Sequence, residues 1–316
     1  MAKSKTKKSG RPGGRSSAPT AVRPAGPRDW IGGARLQTLP LAVAPVVLGA
    51  SAAWLLPHPD VARWWLLAAL CLAVSLLLQI GVNFANDYSD GVRGTDEHRR
   101  GPRRLTASGA AKPRTVLTVA LVFFGLAGVA GLAVTVITAH WWLLAVGAAA
   151  IVAAWFYTGG KRPYGYAGLG ELFVFVFFGL VATAGTTFVL GGQVTVESWV
   201  GAAAIGLMAC AVLMVNNIRD IEQDAVAGKR TLAVRLGARA SRVVYAVMLL
   251  LPFATLPLYG LLYAPAYLVF FVLLAALPAA VIGLFGKTPP ELVLALKLTS
   301  LTSLLFAVGL GLAIAL

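Results

Sequence analysis

Residues 61–91 read VARWWLLAALCLAVSLLLQIGVNFANDYSDG, an apolar run closed by two asparagines and two aspartates. Roughly 20 helical residues cover a hydrocarbon core of about 30 Å, and the stretch near 64–86 does so without a single charge. Comparable runs lie near 36–56, 116–139, 141–156, 169–190, 196–215, 242–260, 265–285 and 292–316. Strands of a membrane barrel would alternate in short segments, so runs of this length predict helices. The expected fold is therefore all-α, an integral membrane bundle of about nine transmembrane helices. Composition agrees: 58% of the 316 residues are hydrophobic and 12% charged, against roughly 25% charged in soluble domains. A water-soluble enzyme is excluded.

The 27 Lys and Arg against 12 Asp and Glu give a net charge of +15, which alone suits nucleic acid or an anionic surface. Threading nine spans from a cytoplasmic start places 25 of the 27 basic residues on one side. The positive-inside rule makes that side the cytoplasm, so topology accounts for the charge and no nucleic-acid partner is expected. The chain reads as a multi-pass cell-membrane protein with a cytoplasmic N-terminus. Residues 1–28, rich in Lys, Arg, Ser, Gly and Pro, cannot bury a core and are expected to be a disordered basic tail, leaving residues 29–316 as the membrane domain. Cys71 and Cys210 stand singly in apolar spans, without metal-ligand spacing.

Seven of the twelve acids fall in two clusters. Asn83, Asn86, Asp87, Asp90, Asp96 and Glu97 follow the second span; Asn216, Asn217, Asp220, Glu222 and Asp224 follow the sixth. Residues three and four apart share a helix face, so Asn83, Asn86 or Asp87, and Asp90 make one polar stripe and Asn216, Asp220 and Asp224 another. Like charges so spaced repel, and a divalent cation removes the penalty. Carboxylates and amides that leave positions for water and phosphate oxygens commonly hold Mg²⁺. Solvated helix ends would not account for the asparagines one turn deeper, where polar groups are costly. Each cluster ends the second helix of a four-helix unit, which suggests an internal pseudo-repeat. Basic residues follow both clusters, and Tyr157-Thr-Gly-Gly-Lys161-Arg162-Pro-Tyr164-Gly-Tyr166 follows the fourth span. Carboxylates for metal with Lys and Arg beside them suit a diphosphate.

The Asn-Asp-x-x-Asp cluster after helix two, Tyr157-x-x-x-Lys161 after helix four and Asp220-x-x-x-Asp224 after helix six together resemble the UbiA superfamily of intramembrane prenyltransferases. Within it, ARLQTLPLAVAPVVLG, NFANDYSDGVRGTD and NNIRDIEQDAVAGKRTLAVRLG are most similar to the 1,4-dihydroxy-2-naphthoate polyprenyltransferases of menaquinone synthesis, the MenA family. Members that use 4-hydroxybenzoate usually carry the third acid at the position of Gly94, whereas Asp96 follows the naphthoate pattern.

The resemblance implies that a polyprenyl diphosphate is bound through Mg²⁺ held by Asp87 and Asp90 on one side and Asp220 and Asp224 on the other, with Asp96 joining the first set. It implies that Asn83, Asn86 and Asn216 complete the shells. Lys161, with Arg103 or Arg230, would neutralise the departing pyrophosphate, and Tyr157 belongs to the same patch. Transfer to 1,4-dihydroxy-2-naphthoate with loss of CO₂ would give demethylmenaquinone, the isoprenoid entering sideways from membrane lipid. Phe84, Tyr88, Phe156, Tyr157, Phe173, Phe175 and Phe177 are candidate ring faces for the allylic cation. Glu171 either binds acceptor hydroxyls or is a helix-start acid; Lys297 either meets the acceptor carboxylate or snorkels to the interface. Gln37 and Gln79 are cavity candidates. The rival within the superfamily is another aromatic acceptor such as 4-hydroxybenzoate. A secondary transporter would carry its acids near the bilayer midplane, and a CDP-alcohol phosphatidyltransferase would carry them in one continuous motif.

Overall fold

The computed structural model describes residues 23–95 and 104–316. Most of the predicted tail, and Asp96, Glu97, Arg99, Arg100 and Arg103, lie outside the described residues. Among those described the chain is helical without strands. Its nine rods are α1 Pro40–Trp54, α2 Val61–Val92, α3 Pro113–Thr138, α4 Leu143–Phe156, α5 Gly170–Gly191, α6 Val196–Arg219, α7 Leu232–Gly260, α8 Ala264–Phe285 and α9 Pro289–Ala315. Seven are long and apolar enough to cross a membrane; α1 reaches that length only with Pro27–Thr38, to which it is joined at a 45° bend. This is a multi-pass membrane protein.

Helix starts follow from local chemistry. The Asp60 carboxylate accepts the Arg63 N–H at 2.9 Å at the head of α2, Thr195 and Thr231 cap α6 and α7, and Thr288 with Glu291 forms a capping box ahead of the prolines of α9. These side chains satisfy N–H groups left free by the first turn. Two expectations need correcting. The fourth span begins at Leu143, and its 14 residues rise only about 21 Å, well short of the hydrocarbon core. The second runs past 86: α2 continues to Val92, carrying Asn83, Asn86, Asp87 and Asp90 inside the helix.

Helix α6 is the centre of the bundle. Of its most apolar window 72% is buried, against 17% for α2, and α1, α5, α7 and α9 all pack on it. Met208, Met214, Tyr245, Leu249, Phe306 and Leu310 are fully buried in the resulting core, and the Tyr245 hydroxyl donates to the Ala279 carbonyl at 3.0 Å, tying α7 to α8. A Cβ on Gly179 would stand 2.6 Å from the Gly206 Cα, so α5 and α6 approach as closely as paired glycines permit. Gly179 lies in a π-helical stretch, Phe175–Val181, a widened turn that shifts side-chain phase. Phe173, Phe177 and Val181 thereby line a cavity opposite the Gly179 contact.

Candidate active site

The cavity measures about 420 Å³ and is enclosed by α1 to α6 with the edge of α9. Its deeper wall is apolar, with Val74, Leu78, Val146, Ala150, Phe177, Val181 and Val189. Helix α4 packs on α2 and α3, and α5 packs on α1, α2 and α6; both present apolar side chains to the cavity. The opposite end is polar: Asn83, Asn86, Asp87 and Asp90 from α2 meet Asn216, Asp220 and Asp224 from the end of α6 and the short helix beyond it. The two clusters lie far apart in sequence and share one chamber.

Within it the polar groups are fixed. Asn83 donates to the Ala34 carbonyl at 2.9 Å, and Asn86 accepts the Thr158 hydroxyl at 2.8 Å. Asp87, 1% exposed, accepts the backbone N–H groups of Leu105 and Thr106 at 2.9 and 2.8 Å, one on each oxygen. Asp90 accepts the Tyr166 hydroxyl. Burial, then the Asp90 charge, pushes that hydroxyl well above the usual phenol range, so it stays protonated and donates. Arg93 donates to the carbonyls of Thr158 and Gly160, joining the end of α2 to the loop after α4.

Lys229 bridges the clusters. Its Nζ lies 3.4 Å from Asp90 Oδ1 and 3.9 Å from Asp224 Oδ1, and 4.8 Å from the centre of the Tyr166 ring. Arg219 grips the Asp220 carboxylate through Nε and Nη2 at 2.7 and 2.6 Å and donates to Asn216 at 2.9 Å. Helix α6 ends at Arg219, and a new turn, Ile221–Val226, begins after Asp220. The expected continuous stripe is therefore broken, although Asp220 and Asp224 still face the chamber.

Other expected residues fall elsewhere. Lys161 and Arg230 are exposed and neither lines the chamber, a place Lys229, Arg219 and Arg104 take instead. Lys297 is exposed on the face of α9 that carries the exposed Leu294 and Leu301 and does not line the chamber. Glu171 is buried behind the wall and accepts from Asn217, a lining residue, at 3.3 Å. Of the candidate rings Tyr157, Phe173 and Phe177 line the cavity, with Tyr164 stacked on Phe173 at 4.0 Å. Phe84 packs between Trp30 and Phe123, Tyr88 on Trp155, and Phe156 is exposed. Lys229 was legible only as a base following the second cluster; its return to Asp90 depends on the turn at Gly228, φ 74°.

Among the described residues no three acidic, His or Cys groups converge on one point. Asp90 and Asp224 instead lie on either side of Lys229, so a cation already marks the position between the clusters. Oxygen donors only, with amides beside them, suit Mg²⁺, and the residues fit such an ion.

Residues 42–296 match the UbiA prenyltransferase family. A protein of Mycobacterium tuberculosis named 1,4-dihydroxy-2-naphthoate octaprenyltransferase is 47% identical over 305 residues, 91% of this chain and 97% of its own length. One of the same name from Escherichia coli K12 is 38% identical over 238 residues, 73% of this chain and 76% of its own. The fold is that of a UbiA homolog from Aeropyrum pernix K1, with a TM-score of 0.64 at 16% identity over 87% of this chain and 96% of that one. It is also that of a UbiA homolog from Archaeoglobus fulgidus bound to DMAPP and Mg²⁺, with a TM-score of 0.59 at 14% identity over 91% and 99%.

Proposed function

The chain belongs to the UbiA prenyltransferase family, and from that premise we propose that it transfers a polyprenyl group from its diphosphate to 1,4-dihydroxy-2-naphthoate in menaquinone biosynthesis. The observation that carries this reading is the chamber itself, two acid clusters bridged by Lys229 over an apolar cavity, in a chain 47% identical to a 1,4-dihydroxy-2-naphthoate octaprenyltransferase.

Asp87, Asp90, Asp220 and Asp224 would hold Mg²⁺ with Asn83, Asn86 and Asn216 beside them. When bound, the ion supplies positive charge that stabilises the departing diphosphate more than the intact substrate. Lys229 and Arg219, buried among those acids, supply further charge and hydrogen bonds to phosphate oxygens. The Tyr166 hydroxyl holds Asp90 in place. The apolar wall takes the isoprenoid, which enters from lipid between α4 and α5, and keeps water from the allylic cation. Tyr157, Phe173 and Phe177 offer it ring faces. Attack by the acceptor carbon that carries the carboxylate forms the new C–C bond, and the carboxylate leaves as CO₂, its electron pair restoring the aromatic ring. The product is the reduced form of demethylmenaquinone, so no oxidant is needed. The chamber opens to the cytoplasm of a cell membrane, the side that carries 25 of the 27 basic residues.

Detergent-purified protein given Mg²⁺, a long polyprenyl diphosphate and competing aromatic acceptors tests this directly. Prenylation of 1,4-dihydroxy-2-naphthoate with release of pyrophosphate and CO₂ is expected. Preference for 4-hydroxybenzoate would overturn the acceptor.

A further inference from the structure

Asn216 and Asn217 are neighbours at the end of α6 and both line the chamber, yet they meet partners of opposite kind. Arg219 Nη2 donates to Asn216 Oδ1 at 2.9 Å. Asn217 Nδ2 donates to Glu171 Oε1 at 3.3 Å. A guanidinium only donates and a carboxylate only accepts, so the partner fixes which end of each amide turns toward it. Arg219 holds the oxygen of Asn216. Glu171 holds the nitrogen of Asn217, whose oxygen forms no hydrogen bond within the protein.

Glu171 is well placed to do this. It stands in the first turn of α5 and is 6% exposed. Cys210 Sγ donates to its main-chain carbonyl at 3.1 Å, which fastens the start of α5 to α6 about two turns before Asn217. A Cβ on the adjacent Gly170 would stand 3.2 Å from the Leu213 side chain, so the two helices lie flush at this level. Among the described residues Asn217 is the only side chain that donates to the Glu171 carboxyl group. A buried acid without a cation is costly, and Glu171 does not itself line the chamber. Its contact with Asn217 is what links it to the site.

On α2 one amide is set the same way. Asn83 Nδ2 donates to the Ala34 carbonyl at 2.9 Å, leaving the oxygen unbonded, whereas Asn86 Oδ1 already accepts the Thr158 hydroxyl. Each acid cluster thus contributes an amide whose nitrogen is tied back and whose oxygen is open. Amide oxygens suit Mg²⁺, while an amide nitrogen turned to the same place would repel it. We propose that Glu171 is a positioning residue: acting through Asn217, it keeps that amide's oxygen turned to the chamber as a donor to the cation. This rests on the metal reading above. An apolar side chain at 171 would strand the amide nitrogen, so that offering the oxygen to a cation would leave a buried donor unmade.

The test measures binding without turnover. Geranyl diphosphate is titrated by calorimetry in the absence of acceptor over a series of Mg²⁺ concentrations, and the acceptor KM is recorded separately for each variant. Glu171→Met should raise the Mg²⁺ concentration for half-maximal binding about tenfold, with the acceptor KM within about twofold. Glu171→Leu carries the same expectation, so the result does not hang on the packing of one side chain. Glu171→Gln, whose amide oxygen still accepts from Asn217, should stay within about twofold of wild type. Asn217→Leu should match Glu171→Met, and the double variant should be no weaker than Asn217→Leu, because residues acting through one contact are not additive. A loss of about a hundredfold in the double variant, a wild-type Mg²⁺ response in Glu171→Met, or a rise in acceptor KM alone overturns the positioning role. Wild type that binds geranyl diphosphate equally well with and without Mg²⁺ overturns the metal reading itself.

Discussion

Asp87 accepts the Thr106 backbone N–H at 2.8 Å through one carboxylate oxygen, while its other oxygen takes Leu105 at 2.9 Å. An acid of the proposed diphosphate site thus also anchors the chain after the first acid cluster to α2. Hydrogen bonds to a charged acceptor contribute about 1.5–3 kcal/mol each. Asp87→Ala should therefore lower stability by roughly 3 kcal/mol or more, read as a lower thermal midpoint in detergent, with faster proteolysis within 104–112. A variant that loses activity at unchanged stability would remove the anchoring role.

Lys229 and Lys161 make an internal contrast. Lys229 is 8% exposed and contacts both acid clusters, whereas Lys161 is exposed outside the chamber. Lys229→Ala should lower kcat/KM for the prenyl diphosphate a hundredfold or more, and Lys161→Ala should change it less than about threefold, two charge-assisted contacts being worth about 3 kcal/mol. The reverse ranking would return the diphosphate to the loop after α4.

Metal dependence should separate the acids from the bases. Chelation is expected to abolish turnover and added Mg²⁺ to restore it, while Asp90→Asn and Asp224→Asn remain inactive at any Mg²⁺ concentration. Substantial turnover after exhaustive chelation would show that Lys229 and Arg219 suffice.

The Tyr166 hydroxyl is held above the ordinary phenol value of about 10. A raised value means that its bond to Asp90 is complete below pH 10 and is lost only as pH climbs through the raised value. Tyr166→Phe should lower activity by about the same factor across pH 7–10, roughly tenfold for one hydrogen bond. A pH–rate profile in which the variant loses an alkaline limb that wild type has would contradict the assignment.

Gly206→Ala forces a methyl group toward the Phe175 ring and Gly179, its new Cβ 2.8 Å from the nearest ring carbon. Overpacking of this kind costs about 1–3 kcal/mol. Thermal unfolding should show it, whereas Gly185→Ala, which meets nothing within 4 Å, should be near neutral.

What was legible in the sequence was whatever depends on neighbours along the chain. The apolar runs placed the helices, and spacings of three and four placed Asp87 with Asp90 and Asp220 with Asp224. Two things were not legible. One is which basic residue turns inward: Lys161, Lys229 and Arg230 look alike as loop residues, and only the turn at Gly228 and the aromatic floor of Tyr166 select Lys229. The other is unmet hydrogen bonding. Arg35 counted only among the 25 basic residues that share one side, because nothing local reveals that one of its nitrogens is buried without a partner.

Lys229 standing between Asp90 and Asp224, with Arg219 closed on Asp220, has a consequence for the order of loading. The resting chamber balances its own charge, so a cation arriving alone must displace an ammonium. On the proposed function a diphosphate would draw that ammonium onto itself and free the carboxylates. Linkage makes the exchange reciprocal: the factor by which diphosphate raises cation affinity is the factor by which the cation raises diphosphate affinity. On the proposed function, substrate and counter-ion would therefore enter as a pair, and the bond-breaking centre would be assembled by the molecule it breaks.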